Sequence, residues 1–187
     1  MKATLSAVAL SLLLAVPAFA KDVAGVKYPE TATVEGKELK LNGVGLRTKL
    51  VFKVYTAGLY VENPSQDGAK LINADEIKRV RMYMLRDLDK KTITDAIGDA
   101  FKKNAGSKMA ELQPKLDTFN SAVTDVKKGD ELILTYVPGQ GTRVQSAKGG
   151  QQITVEGKDF ADALFSVFVG KNPVDGSLKD GMLGKKD

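Results

Sequence analysis

The sequence predicts an α+β fold in which a large antiparallel sheet is covered on one face by a layer of helices. Three observations lead there. β-type segments fill residues 32–84, helical spacing takes over between 89 and 123, and a second group of short strands over 130–157 precedes two closing helices. Strands and helices grouped in this way, without regular βα alternation, make a sheet with segregated helices rather than a doubly wound one. The 187 residues contain no internal repeat, low-complexity tract or long linker. Residues 21–187 therefore read as one domain, long enough to bury a core without a disulfide or metal staple.

The N-terminus reads as a leader. Met1-Lys2 precedes an apolar block from Ala7 to Val16, and Ala18-Phe19-Ala20 has the small-x-small pattern of a signal peptidase site, so residues 1–20 are expected to be a secretory signal peptide. The block is shorter than the roughly 20 residues of a spanning helix. No stable membrane anchor is expected, and with no Cys in the chain there is no acceptor for a lipid anchor. The expectation is a soluble, monomeric protein of a bacterial periplasm.

After a polar lead-in, Ala32–Val34 and Leu39–Asn42 flank the glycine-containing turn "EGKE" and predict a hairpin. Gly43 and Gly45 suggest a bend or bulge. The run from Leu46 to Val61 is apolar on both faces, which predicts one central strand covered on each side. "NPSQDGAK" breaks the sheet. In the next strand Val80, Met82 and Met84 alternate with Arg79, Arg81 and Tyr83, so one face enters the core and the other is basic and phenolic.

Asp87 and Asp89 are candidate caps for a helix carrying Ile93, Ile97, Ala100 and Phe101 and ended by Gly106. Ser107 can cap a second helix, whose stripe is Met109, Leu112, Leu116, Phe119 and Val123. Pro114 predicts a kink or break within it. Residues 130–157 give three short strands joined by two glycine-containing turns. Phe160, Ala163, Leu164, Val167 and Phe168 make a helix stopped at Gly170 and Pro173, and Ser177–Leu183 a last short one.

Composition narrows the chemistry. With no His and no Cys there is no Ser-His-Asp or Cys-His nucleophile, no ordinary zinc site and no imidazole acid or base. No metal and no cofactor is expected. The formal charge of +5 is spread over dispersed pairs such as Lys102-Lys103 and Lys127-Lys128, and aromatics make up 6% of the chain. A scattered charge without a basic-aromatic ladder gives no nucleic-acid partner.

Arg47, at the mouth of the β-type run, either faces water, where a surface ion pair contributes about 0–1 kcal/mol, or holds an anion with its planar fork. Tyr55, Tyr60 and Tyr83 are either core residues with satisfied hydroxyls or donors in a cleft. Tyr83 shares its face with Arg79 and Arg81. Arg81 and Arg86 read as a solvated basic face or as anion contacts. Met82, Met84 and the Met109-Leu112-Leu116-Phe119 stripe suit a core or the wall of an apolar pocket equally well.

"GVGLR" followed by "FKVYTAGLYVE" resembles the signature of the chalcone isomerase superfamily, and "FADALFSVFVGKNPVDGSLKDGMLG" is similar to the closing helices of its bacterial, secreted branch. With "MLRDLDKKTITDAIGDAF" between them, the resemblance covers about Val26 to Gly184. It implies a large antiparallel sheet under a helical layer, with a ligand cleft between the two. The family's enzymes close a chalcone into a flavanone: an Arg holds the phenolate, and a Tyr, an Asn and hydroxyl residues steady the enolate. Preorganised donors suffice for such a step, so the lack of His is no obstacle.

Carried over, Arg47 matches the family Arg, and either Tyr55 or Thr56 matches a hydroxyl position beside Lys53. The catalytic Tyr falls about Lys91 or Thr92 and its Asn partner about Gly98, where neither residue type is kept; a late hydroxyl falls near Val167, beside Ser166. The superfamily also contains non-catalytic fatty-acid binders that use the Arg and a Tyr on the carboxylate. The resemblance thus implies a binder of a small amphipathic anion, a fatty acid or a phenolic, through Arg47 and Tyr55 or Thr56, to which the basic and phenolic face of the Arg79–Tyr83 strand adds Tyr83 and Arg81 as candidates. The alternative is an isomerase acting on a conjugated phenolic substrate.

Overall fold

The computed structural model describes residues 20–146 and 152–185; the expected leader, Ala20 aside, lies outside them. Among the described residues nine strands and five helices follow in the order β1 (Ala20–Val23), β2 (Val26–Pro29), β3 (Thr31–Val34), β4 (Lys37–Lys49), β5 (Phe52–Val61), α1 (Gly68–Asn73), β6 (Lys78–Met84), α2 (Lys90–Ala105), α3 (Met109–Ala122), β7 (Glu131–Val137), β8 (Gly141–Ser146), β9 (Ile153–Val155), α4 (Lys158–Val169) and α5 (Gly176–Met182). Strands β3 to β9 form a curled seven-stranded antiparallel sheet in which every strand pairs with its chain neighbour, a half-barrel with helices, as the sequence predicts.

Turn chemistry sets the hairpins. Ala24-Gly25 and Glu35-Gly36 take positive φ at both positions, 55° and 81°, then 51° and 75°, the two-residue geometry whose twist suits flanking strands. The β3–β4 hairpin lies where "EGKE" predicts it. The run from Leu46 to Val61, by contrast, is not one strand: a tight turn at Leu50-Val51 divides it between β4 and β5. Neither residue is a turn former, which is why the pattern reads as continuous. The β5 half is the buried central strand expected.

Asp89 caps α2, its carboxylate accepting from the Thr92 N–H at 2.6 Å, and Gly106 ends that helix with φ 54°. A short 3-10 turn, Gly106–Lys108, then leads into α3. Of the kink or break expected at Pro114, the break does not occur, and α3 runs through it. The Ala110 carbonyl that loses its i+4 donor there belongs to an exposed residue, so water can replace the bond and the cost of the proline falls.

The helix-facing core joins Val80, Met82, Met84, Leu132 and Leu134 of the sheet to Phe101, Phe119 and Phe160. The Phe160 ring lies 5.5 Å from Phe101 and 6.2 Å from Phe119, centroid to centroid. Helix α4 is buried on nearly all sides, as a helix apolar all round must be, and α1, α2, α3 and α5 surround it. The polar lead-in forms the β1–β2 hairpin, which covers the opposite face with Val26 and Tyr28 over Val44 and Tyr60. Part of the second face is therefore closed too.

Candidate functional site

The β4–β5 hairpin brings Arg47 to one end of the sandwich. Arg47 pairs with Tyr55 and Thr48 with Lys53, a register shift that makes Val54 the extra residue of a bulge. Bulges re-aim side chains, and here Val54 and Tyr55 both join the helix-side core. The Arg47 guanidinium lies over the Tyr55 ring, with Cζ 5.5 Å from its centroid, a cation–π distance. Burial pushes the Tyr55 phenol up to about 12 against the pull of the Arg47 charge. At neutral pH the phenol is a hydrogen-bond donor.

Half-buried Arg47 is shared by two cavities between the hairpin end and α2, of about 370 and 330 Å³. Thr92 and Ala96 of α2 and Lys49 of β4 line both, so the two form one groove. The half toward α5 is polar, with Asp95, Asp99 and Lys103 beside Pro173 and Val174. Its Asp95 is held by Lys91. The half toward the hairpin turn has Leu50, Phe52, Val54 and Leu88 as apolar wall, with Arg86 stacked on Phe52 at 5.0 Å.

The carboxylates of this second half are already engaged. Asp87 accepts from the Lys128 N–H at 2.9 Å and from Lys127 Nζ at 3.1 Å, and Asp89 from Thr92. Those donors hold both groups below the ordinary carboxylate range. Among the described residues Arg47 has no ion pair, nor do Lys49 and Arg86. The arrangement is a groove that is apolar toward the hairpin turn and polar toward α5, with three cations available to an anion.

The structure divides the five candidates. Arg47 lines the groove, whereas Tyr55 is buried in the helix-side core beneath its guanidinium and lines neither cavity. Thr56, Arg81 and Tyr83 lie on the opposite face of the sheet, because neighbouring strand residues point to opposite sides. There the buried Thr56 hydroxyl bonds Tyr28 Oη at 2.8 Å. Arg81 forks onto Glu131, donates to the Lys27 carbonyl at 3.2 Å and stacks on Tyr28 at 4.9 Å. Half-buried Tyr83 packs against the same cluster. These contacts fasten the β1–β2 hairpin to the sheet.

The positions carried over from the family's enzymes also separate. Thr92 lines the groove. Gly98 is buried on α2 with nothing within 4 Å of where a Cβ would stand. Ser166 lies in α4 and donates to the Ala163 carbonyl at 2.6 Å. Met82, Met84, Leu112, Leu116 and Phe119 are core. Sequence reasoning missed Leu50, Phe52 and Leu88 as groove residues; the signal was the hairpin turn, hidden by its apolar residues. Among the described residues no cluster of carboxylates could hold a metal ion, and no helix is long and apolar enough to cross a membrane.

The fold has a counterpart of known structure. A fatty-acid binding protein of Arabidopsis thaliana superposes with a TM-score of 0.65 at 19% identity, over 88% of this chain and 95% of that one. No curated protein matches the sequence. The family model described as chalcone isomerase-like matches residues 20–184. A match over nearly the whole described chain, on a half-barrel of the same architecture, places the protein in the chalcone isomerase-like family.

Proposed function

We propose that the protein is a non-catalytic binder of a small amphipathic anion, a fatty acid or a phenolic acid, held in the groove between the β4–β5 hairpin and α2. One observation carries this reading: half-buried Arg47, without an ion pair among the described residues, sits over Tyr55 at the junction of an apolar and a polar half-groove. Cavities of this size suit a small ligand, and the planar guanidinium fork can take a carboxylate by two parallel hydrogen bonds. The fatty-acid binding protein of Arabidopsis thaliana, alike in fold, supports a lipid ligand. The leader-like residues 1–20 support an extracytoplasmic site of action. Lys91 or Thr92, and Gly98, at about the positions of the enzymes' Tyr and Asn, lend less support to the isomerase alternative.

The test compares a fatty acid with its methyl ester on wild type and on Arg47→Met. Wild type is expected to prefer the acid, and Arg47→Met to lose about 1.5–3 kcal/mol of acid affinity while binding the ester as before. The empty variant should be at least as stable as wild type, since an apolar replacement relieves a poorly solvated charge. Equal binding of acid and ester by wild type, in calorimetry, would overturn the reading.

A further inference from the structure

The large apolar side chains most exposed among the described residues are consecutive: Leu50 at 89%, Val51 at 84% and Phe52 at 54%. They form the tip of the β4–β5 hairpin. Scattered exposed apolar residues are ordinary, but a contiguous cluster on a projecting element marks an interaction surface. Turn formation does not explain the residues used. Leu50 sits at φ 57°, a place in a two-residue turn that glycine or asparagine takes without strain.

Charge says what covers the tip. Exposed Lys49 and Lys53 flank the apolar triplet in sequence, and exposed Arg86 stacks on Phe52. None of the three has an ion pair among the described residues, whereas nearby Asp87 is bound by Lys127 and Lys128 and Asp89 by Thr92. Apolar tip residues inside a collar of long basic side chains match the interface of an anionic bilayer. The triplet would enter the acyl boundary while the cations stay among the headgroups. We infer that the β4–β5 hairpin tip docks the protein on the surface of an anionic phospholipid bilayer.

Placement adds a consequence that rests on the proposed anion-binding groove. Leu50 and Phe52 belong both to the tip and to the groove wall, so a docked protein would hold the mouth of the groove against the lipid. An amphipathic acid could then pass between bilayer and groove without crossing water.

The chain has no Trp, so a tryptophan placed at the tip reports on the tip alone. Val51→Trp and, separately, Phe52→Trp are mixed with vesicles of phosphatidylcholine containing phosphatidylglycerol, or of phosphatidylcholine only, both free of fatty acid. Expected are a blue shift and quenching by brominated acyl chains on the anionic vesicles, weakened by added salt. Adding Lys53→Ser should cut partitioning roughly fivefold, as loss of one surface cation does. Emission unchanged by either vesicle would overturn the inference. So would a blue shift without lipid that grows with protein concentration, which would make a second copy the occupant. An equal response to both vesicles would overturn the anionic assignment. Because the vesicles carry no fatty acid, these outcomes are independent of the acid-against-ester comparison.

Discussion

Lys78 is a cation inside the core, on the helix-facing side of β6, and only 2% exposed. Its Nζ donates at 2.8 Å to the carbonyls of Leu71, Ile72 and Ala74 and lies over the rings of Tyr136 and Phe165. It thus satisfies backbone acceptors at the C-terminal end of α1, where a positive charge also suits the helix dipole. Burial lowers its pKa from 10.5 to about 8. A base depressed on folding holds more protons when unfolded, so its contribution to stability is full above 10.5 and lost as pH falls through 8. In chemical denaturation, wild type should therefore gain on Lys78→Met as pH rises through that window, by at most about 1.4 kcal/mol per pH unit. A constant difference would mean that the three carbonyls restore ordinary basicity. Alternation along "IKRVRMYM" marks Lys78 as inward-facing, but an isolated Lys in a strand gives no sign of the helix end it meets.

Between elements, glycines decide how closely backbones approach. A Cβ on Gly45 would stand 2.1 Å from the Leu178 carbonyl oxygen, one on Gly43 2.3 Å from that of Gly181, and one on Gly181 2.6 Å from the Gly45 Cα. Helix α5 and strand β4 therefore meet backbone to backbone. Gly98 is the opposite case, a helix-interior glycine with open space around it. Gly45→Ala should destabilise by about 1–3 kcal/mol, as overpacking does. Gly98→Ala should stabilise by about 0.5–1 kcal/mol through reduced chain entropy in the unfolded state. Thermal unfolding of the two variants checks both signs. From sequence, Gly43 and Gly45 read as a bend, and a register shift does occur between Leu41 and Gly43. Their second role depends on residues some 130 positions away, which no local pattern can convey.

For the molecule as a whole, period and order were legible and facing was not. Helical stripes and strand alternation gave α2 through α5 and β6 through β9 nearly in place. The alternation of Arg79, Arg81 and Tyr83 correctly set them apart from the core methionines, but it does not say which side of the sheet the helices cover. Of the candidate groove, Arg47 was accordingly legible, while Tyr55 packs in the core beneath it and Thr56, one residue on, points to the far side and bonds Tyr28.

The close seating of α5 also bears on how the protein would fail. Strand β3 pairs with β4 only from Lys37 to Lys40, so among the described residues the outer edge of β4 from Asn42 onward has no strand beside it, and α5 lies against this stretch. An uncovered strand edge offers free N–H and carbonyl groups to any extended chain that meets it. A chain ending before Gly176, or one whose α5 is pushed off by Gly45→Ala, is expected to assemble into ordered β-rich aggregates rather than simply to unfold. Thioflavin fluorescence growing with protein concentration, under conditions where wild type stays silent, is the measurement that checks it.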